Sequence, residues 1–413
     1  MATKTVLILG GGMGGISAAF ELRRLLPLEH TIALIEKEAQ HAFAPSFLWL
    51  MSADRAPEHI VRDVHQMVPR GVEVLIDQVE AIDLVSRSVR TSSGAISYDF
   101  LIVSLGAELG PEMIPGLSEA ASTFYTVDGA IKLKEALRDF AGGTLALVVS
   151  SVPYKCPGAP HEGAMLIADV LRRRGLEGKV SVHLFTPEAQ PMPVAGPALG
   201  ASVREMLEAR KIVFHPLHKL LSVDASKRAL QFEGRAPFAY DLLVAVPPHR
   251  GHRVVREAGL ANEAGWIPVE RETLATRHEG VYAIGDATAL QIPGRWNPDV
   301  PMLLPKAGVF AHSQALVVAR NIAAEVNGSA QRVKFMGDGY CALECGQGRA
   351  GFAFGNFLAE PHPSIEMRRP GRSMHLGKVL FEKYWLGRGM KRNALRIVGN
   401  FAARLLGMPA LLQ

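Results

Sequence analysis

A glycine-rich loop close to the N-terminus constrains the fold of this chain more than any other feature. The apolar segment 6–9 leads into Gly10, Gly12 and Gly15, which have the spacing of a dinucleotide-binding turn, and a helical segment follows. Glu36 ends the next predicted strand, within reach of a ribose hydroxyl. Because small glycines let the backbone approach a pyrophosphate, the segment predicts a dinucleotide site. The alternative is a glycine-rich turn in an ordinary βα unit.

Two later segments indicate which dinucleotide binds. Residues 276–286 end an apolar strand in Gly285 and Asp286, and they resemble the second FAD signature of flavoproteins with two dinucleotide-binding domains. In those proteins the aspartate holds the ribityl chain. The strand 100–106, which ends in Gly106, resembles their connecting motif, although the usual threonine before the glycine is absent. The order of the segments implies FAD; otherwise Asp286 is a turn residue that caps a helix.

A second strand and loop carry a cysteine where nucleotide binding would need glycines. The predicted strand 143–149 is followed by Pro153, Tyr154 and Cys156, ahead of a helix predicted from about Glu162. Prolines and a bulky tyrosine hinder the close backbone approach that a pyrophosphate requires. The sequence therefore predicts that this unit has lost nucleotide binding and gained a thiol.

Length and composition are those of a multidomain globular protein. The 413 residues suit two to three domains, and 48% hydrophobic content is ample for buried cores. Neither an apolar run of about 18 residues nor a signal peptide is evident, so we expect a cytoplasmic or peripheral membrane protein. No recognition motif supports nucleic acid as a partner.

The C-terminal tail concentrates the basic charge of the chain. Residues 374–413 contain seven Lys or Arg and one acid, Glu382, interleaved with aromatic and aliphatic residues at helical spacing. This pattern predicts a helix that lies on a membrane surface. The alternative is an amphipathic helix packed on its own domain or in a homo-oligomer.

Cysteine usage points to redox chemistry rather than to structural cross-links. Cys156 lies in the altered loop, and Cys341 and Cys345 follow the FAD segments. Three cysteines cannot form a disulfide framework in a chain of this length. No paired CxxC unit is present, so no metal site is expected. Thiols that only fill space in a core are the simpler alternative.

These segments together resemble the sulfide:quinone oxidoreductases over nearly the whole chain. The resemblance implies FAD as cofactor, sulfide as donor and a membrane quinone as acceptor. It implies that Cys156 and Cys341 pass sulfur between them beside the flavin, that Glu162 acts as an acid/base group, and that Lys306 stabilises the reduced ring. The simpler roles are a first-turn helix acid for Glu162 and a solvated cation for Lys306. Candidate residues of the quinone pocket are aromatic: Phe352, Phe354, Phe357, Tyr384 and Trp385.

The departures from the family pattern leave other functions open. Tyr125 stands where many members have a third cysteine, and Gly129 stands where they have a histidine, which leaves the sulfur product and the proton path undetermined. An NADH:quinone dehydrogenase would need an intact second glycine loop. A flavocytochrome c sulfide dehydrogenase usually has a flavin-attaching cysteine, which residues 41–45 lack. The non-enzymatic alternative is a flavin-containing persulfide sensor or carrier.

The motif order predicts an α/β fold with two Rossmann-like dinucleotide-binding domains plus a C-terminal membrane-associating segment. The FAD domain is expected from residues 1–110 and 241–330. The second domain, with its degenerate NAD loop, is expected to span 111–240. Residues 331–413 form the C-terminal redox-cysteine and membrane-interface region.

Overall fold

Two parallel sheets organise the protein, and a computed structural model describes residues 3–297 and 299–405. The strands of the first sheet are, in spatial order, Val281–Ala283, Phe100–Val103, Thr5–Leu9, Thr31–Glu36 and Glu73–Ile76. All neighbours in this sheet pair in parallel. Their near-continuous apolar sequences suit strands that are buried on both faces.

Helices cover one face of the first sheet and an antiparallel layer covers the other. Alternate side chains of the strand Thr5–Leu9 enter two separate cores, as the two-residue period of a strand requires. The two helices are Met13–Leu25 and Gly308–Val326. The antiparallel strands are Val79–Asp83, Ser88–Thr91 and Gly94–Ser97.

The second sheet repeats this plan with four parallel strands. Their spatial order is Ile212–His215, Val180–Phe185, Gly143–Val149 and Leu242–Val246. The helices of this unit are Val127–Asp139, Ala159–Arg173 and Pro197–Glu208. The antiparallel strands of this unit are Leu220–Asp224, Ala229–Phe232 and Phe238–Ala239. The two sheets therefore confirm the predicted α/β class.

The C-terminal region brings a third sheet against both units. Its antiparallel strands are Asp338–Glu344, Ala350–Asn356 and Ser364–Gly371, and the helices Arg372–Trp385 and Gly389–Leu405 follow. The strand Asp338–Glu344 contacts a helix of each α/β unit. It therefore carries Cys341 to the junction between them.

Shorter elements connect these layers. The short strand pairs are Gln40–Ala42 with Val61–Asp63, Glu108–Leu109 with His249–Arg250, and Ile267–Pro268 with Thr288–Ala289. The short helices are Phe47–Met51, Pro57–Ile60, Val64–Met67, Leu117–Ala120 and Arg253–Glu257. The 3₁₀ turns are Ala44–Ser46, Pro111–Met113, Pro193–Ala195 and Gly285–Ala287.

Two details differ from the sequence prediction. The helix after the cysteine loop begins at Ala159 rather than near Glu162, because Pro160 fits the first turn of a helix. The strand Leu242–Val246 pairs with Gly143–Val149, so the second unit extends past the predicted boundary at residue 240. Among the described helices, none has the length and apolarity needed to cross a membrane.

Candidate active site

The N-terminal glycine loop is shaped by close backbone packing. Gly10 has φ +99°, and a Cβ there would lie 2.4 Å from the Ser104 carbonyl oxygen. A Cβ on Gly15 would lie 1.9 Å from the Gly10 carbonyl oxygen. A Cβ on Gly12 would meet no atom within 4 Å, so this backbone faces open space. Two glycines therefore allow the turn to form, and the third exposes backbone to a ligand.

Glu36 lies beside this loop, at the end of its strand. Its Oε2 accepts a hydrogen bond from the Gly11 amide at 2.6 Å, and the side chain lines the main cavity. The cavity has a volume of about 1150 Å³ and is also lined by Gly106, Gly285 and Asp286. The residues predicted to bind the cofactor therefore surround one space, apart from Gly10 and Gly15, which support it from behind.

Asp286 is buried in this cavity wall with a free acceptor. Its Oδ1 has no hydrogen-bond partner among the described residues. Burial raises the pKa of this carboxyl, while Lys155 and Lys306 oppose the shift. A buried, unpaired carboxylate oxygen is costly unless a ligand satisfies it. The open Gly12 backbone and this orphan oxygen fit a dinucleotide that carries a hydroxylated chain.

Lys306 is held inside the same wall. Its Nζ donates to the carbonyl oxygens of Asp286 at 2.7 Å and Thr288 at 3.1 Å, and it lies 3.4 Å from the ring centroid of Trp266. Burial lowers the pKa of this ammonium to about 8, partly offset by Asp286. Lys306 is therefore not a solvated surface cation.

The loop that bears Cys156 is clamped between the two α/β units. The Cys156 amide donates to the Lys306 carbonyl oxygen at 2.7 Å, and the Ala159 amide donates to the Cys156 carbonyl oxygen at 2.8 Å. The Tyr125 hydroxyl donates to the Lys155 carbonyl oxygen at 2.9 Å. Cys156 itself has φ +55°, a conformation that non-glycine residues rarely adopt. Tyr125, at the position of the missing third cysteine, thus holds the loop that presents Cys156.

Cys156 and Cys341 meet at one end of the cavity. Both are half-buried free thiols, and they are joined by a side-chain hydrogen bond. This bond from Cys341 lowers the pKa of Cys156, and burial and the Glu162 charge oppose it. The same bond raises the pKa of Cys341, which keeps its proton. The pair therefore favours one thiolate, on Cys156, beside the N-terminus of the helix Ala159–Arg173.

Cys345 is separated from this pair. It follows the strand Asp338–Glu344 and is buried, and its Sγ donates to the Arg349 carbonyl oxygen at 3.1 Å. It does not line the cavity. Within the described residues no cluster of metal-ligating side chains is present.

Glu162 lies next to the two thiols and is paired with a residue that the sequence did not reveal. Its carboxylate forms a buried ion pair with Lys378 of the helix Arg372–Trp385. Burial raises the pKa of Glu162 to about 7, and Lys378 opposes that shift. On the same helix His375 donates to Glu344, which is also buried. The spacing of His375, Lys378 and Glu382 places them along one helical face, and this was the available signal.

The five aromatic side chains predicted for a quinone pocket do not all face the cavity. Phe352 and Phe357 line the cavity, whereas Phe354, Tyr384 and Trp385 do not. Trp385 packs in a small core, and its Nε1 donates to His41 Nε2 at 3.0 Å. Tyr384 is buried against Arg392, and the Phe354 ring is half-buried and lies 5.8 Å from the guanidinium carbon of Arg368. Other residues of the tail also line the cavity, and they are Met374, Leu376, Gly377, Lys378, Leu380, Phe381, Gly399 and Ala403.

Similar proteins support the motif-based resemblance. The chain is 28% identical to the mitochondrial sulfide:quinone oxidoreductase of Mus musculus over 371 residues, which cover 86% of this chain and 79% of the relative. It is 27% identical to the sulfide-quinone reductase of Aquifex aeolicus over 398 residues, with 93% and 90% covered. The structure is similar to the X-ray structure of the Aquifex aeolicus sulfide:quinone oxidoreductase, with a TM-score of 0.85, 25% identity, and 98% and 95% covered. The resemblance drawn from the sequence is thereby confirmed.

The family model of the pyridine nucleotide-disulphide oxidoreductases matches residues 4–315, and this segment includes both parallel sheets. The glycine loop, the orphan oxygen of Asp286 and the paired thiols all lie on or beside this segment. The chain therefore belongs to the pyridine nucleotide-disulphide oxidoreductase family, which makes it an oxidoreductase with a flavin cofactor.

Proposed function

We propose that the protein oxidises sulfide and transfers the electrons through FAD to a membrane quinone. The observation that carries this proposal is a single cavity with two hydrogen-bonded thiols at one end and a dinucleotide cradle along its wall. The relatives named sulfide:quinone oxidoreductase, which align with most of the chain, support the same conclusion. The loop Pro153 to Pro157 disfavours NADH as donor, because it lacks the glycines of a pyrophosphate site.

The residues present fit FAD. In this proposal Gly12 gives backbone access to the pyrophosphate, Glu36 accepts from a ribose hydroxyl, and Asp286 Oδ1 accepts from the ribityl chain. Gly106 and Gly285 border the same space, and Lys306 supplies a buried positive charge nearby. When bound, FAD would accept two electrons from sulfur and pass them to the quinone.

The sulfur chemistry is carried by the two thiols. In the oxidised state Cys156 and Cys341 form a disulfide, and a hydrosulfide anion attacks one sulfur. One sulfur–sulfur bond forms and the other breaks, which leaves a persulfide on one cysteine and a thiolate on the other. The hydrogen bond between the free thiols and the adjacent helix N-terminus both favour the thiolate product.

The acceptor side of the cavity is apolar. Phe352, Phe357, Leu380 and Phe381 line it, which suits a hydrophobic quinone ring. The last described helix exposes apolar side chains next to basic ones, a combination that suits a peripheral membrane contact. The exposed apolar residues of this helix are Met390, Ile397, Val398 and Phe401. The basic residues of this helix include Lys391, Arg392, Arg396 and Arg404.

Steady-state quinone reduction tests the proposal. The purified holoenzyme is supplied with a short-chain quinone and either sulfide, NADH or NADPH. We expect quinone reduction with sulfide as donor and none with NADH or NADPH. Turnover with NADH at a comparable rate would contradict the proposal and favour the dehydrogenase alternative, and flavin without turnover would favour the sensor or carrier.

A further inference from the structure

The helix Arg372–Trp385 inserts a charged face into the protein beside the thiols. Lys378 and Glu162 are both almost fully buried, with side-chain exposures of 9% and 3%. Lys378 Nζ also lies 5.1 Å from the ring centroid of Trp49. A buried ion pair is costly to desolvate, and breaking it leaves an uncompensated charge. Its position next to two redox thiols calls for an explanation beyond helix docking.

The Glu162 carboxylate and the Lys378 ammonium share this space with the two thiols. The Glu162 carboxylate acts on both thiols electrostatically and disfavours a thiolate there. The Lys378 ammonium acts on the same two thiols and favours a thiolate. The backbone of Glu344, three residues after Cys341, hydrogen-bonds the Glu162 carboxylate. The thiol and the carboxylate therefore compete for one negative charge opposite one fixed cation.

We infer that Lys378 is a positioning residue that acts as the shared counter-ion for Glu162 and the Cys156 thiolate, so that a proton can move between them without a change in buried charge. This inference rests on the proposed function in one respect only, namely that the oxidation of sulfide uses the Cys156 thiolate. The step moves the proton from Cys156 Sγ to a Glu162 oxygen. One S–H bond breaks, one O–H bond forms, and no atom changes its oxidation state.

The charge balance is what makes this step accessible in a buried site. Before transfer the negative charge is on Glu162, and after transfer it is on Cys156; Lys378 faces both. An isolated buried thiolate would instead need a proton to leave for bulk water and an uncompensated charge to remain. The pKa of Glu162 is raised by burial and the pKa of Cys156 is lowered by Cys341, so the proton affinities of the two acids approach each other, and Lys378 stabilises the negative charge on either.

Other titratable groups also face this cluster, and the test has to hold them constant. From the strand Asp338–Glu344 they are Cys341 and Glu344, from the helix Arg372–Trp385 His375 and Lys378, from the loop before the helix Val127–Asp139 Tyr125, and from the cysteine loop itself Tyr154 and Lys155.

The pH dependence of thiol alkylation tests the inference without sulfide or quinone. The parent is the flavin-containing C341S/C345S protein, in which Cys156 is the remaining thiol, and the probe is iodoacetamide. We expect two steps in the rate, the first near pH 7 as Glu162 titrates, followed by a plateau where the pair holds one shared negative charge. E162Q should abolish the plateau and give a single step.

Substitution of Lys378 provides the second arm. K378M should slow alkylation at pH 7 by about tenfold, the equivalent of one unit in thiol pKa, whereas K378R should stay within about threefold of the parent. K383M is the matched control, because Lys383 is an exposed lysine on the same helix, and it should leave the profile unchanged. The double variant E162Q/K378M removes both charges and guards against misfolding from a single unpaired charge.

Three results would overturn the inference. They are a parent profile with a single step, a K378M profile that superimposes on the parent, and a K378R loss as large as that of K378M in folded protein. Failure of sulfide turnover alongside the expected alkylation profiles would instead count against the proposed function and leave the proton exchange standing.

Discussion

His161 should make the protein less stable as the pH falls. This side chain is completely buried in the first turn of the helix Ala159–Arg173, and neither ring nitrogen has a partner among the described residues. Burial lowers its pKa to about 3. The unfolded chain has an ordinary histidine pKa of about 6.5, so it binds more protons than the folded chain between these values. The folded state is therefore favoured above pH 6.5 and loses this advantage as the pH falls toward 3.

The magnitude follows from the two pKa values. At pH 7.5 the neutral ring is preferred in both states, and the penalty is close to zero. At pH 5.5 proton binding to the unfolded state costs about 1.4 kcal/mol of folding free energy, and at pH 5 it costs about 2 kcal/mol. The N-terminal helix dipole adds to the penalty for a buried cation at this position.

The contribution of His161 to the free energy of unfolding is measured by urea unfolding of H161L and wild-type protein, with circular dichroism as the signal. The substitution removes a titrating group and two unpaired nitrogens, so H161L should be at least as stable as wild type at pH 7.5. Relative to wild type it should gain about 1.4 kcal/mol on moving to pH 5.5. His59→Leu, at an exposed position, is the control and should show no such gain. Equal pH dependence for H161L and wild type would refute the reasoning, since a protonated His161 would then be tolerated inside the helix.

Three further predictions concern the site. C341S should lower sulfide-dependent quinone reduction at least a hundredfold while flavin stays bound, whereas C345S should keep a substantial fraction, because Cys345 points away from the cavity; the opposite ranking would reverse the assignment. Asp286→Ala should weaken flavin binding about tenfold to a hundredfold, as expected for the loss of one buried hydrogen bond, measured by flavin release and compared with the exposed control Asp299→Ala; equal retention would contradict the role of Asp286. Truncation after Gly387 should abolish binding to anionic vesicles yet keep flavin reduction by sulfide, and absence of vesicle binding by the full chain at low salt would rule out the membrane contact.

The helix Arg372–Trp385 at the start of the tail packs differently from the sequence prediction. The basic tail starting at residue 374 was expected to face the membrane as a whole. Lys378 and Glu382 instead point inward, to Glu162 and Arg55. A cut at 374 would therefore disturb the thiol site together with the membrane contact. Partners more than 200 residues apart in the chain cannot be matched from helical spacing alone.

The predictions for the glycine loop and for Asp286 came from local chemistry. Gly10, Gly15 and Asp286 were identified because a turn or strand end imposes their residue type within a few positions of chain. The thiol loop was recognised for the same reason, since prolines replace the glycines that a nucleotide requires. The contact between Cys156 and Cys341 came only from the resemblance to a known family, and the structure places the two side by side.

Long-range packing decides where the aromatic side chains of the helix Arg372–Trp385 lie. Tyr384 and Trp385 have the residue types of a quinone pocket, but the helix is rotated so that both are buried in the protein. The rotation is fixed by the polar contacts of His375, Lys378 and Glu382 with three different parts of the chain. None of these contacts leaves a pattern within the helix that identifies its partner.

An anaerobic titration of the bound flavin tests the central claim most directly. Sulfide is added stepwise to the oxidised holoenzyme while the flavin absorbance near 450 nm is recorded, and a quinone is then added. The account predicts that sulfide bleaches the flavin, that the quinone restores it, and that NADH at the same concentration leaves it oxidised. Bleaching by NADH but not by sulfide would contradict the account.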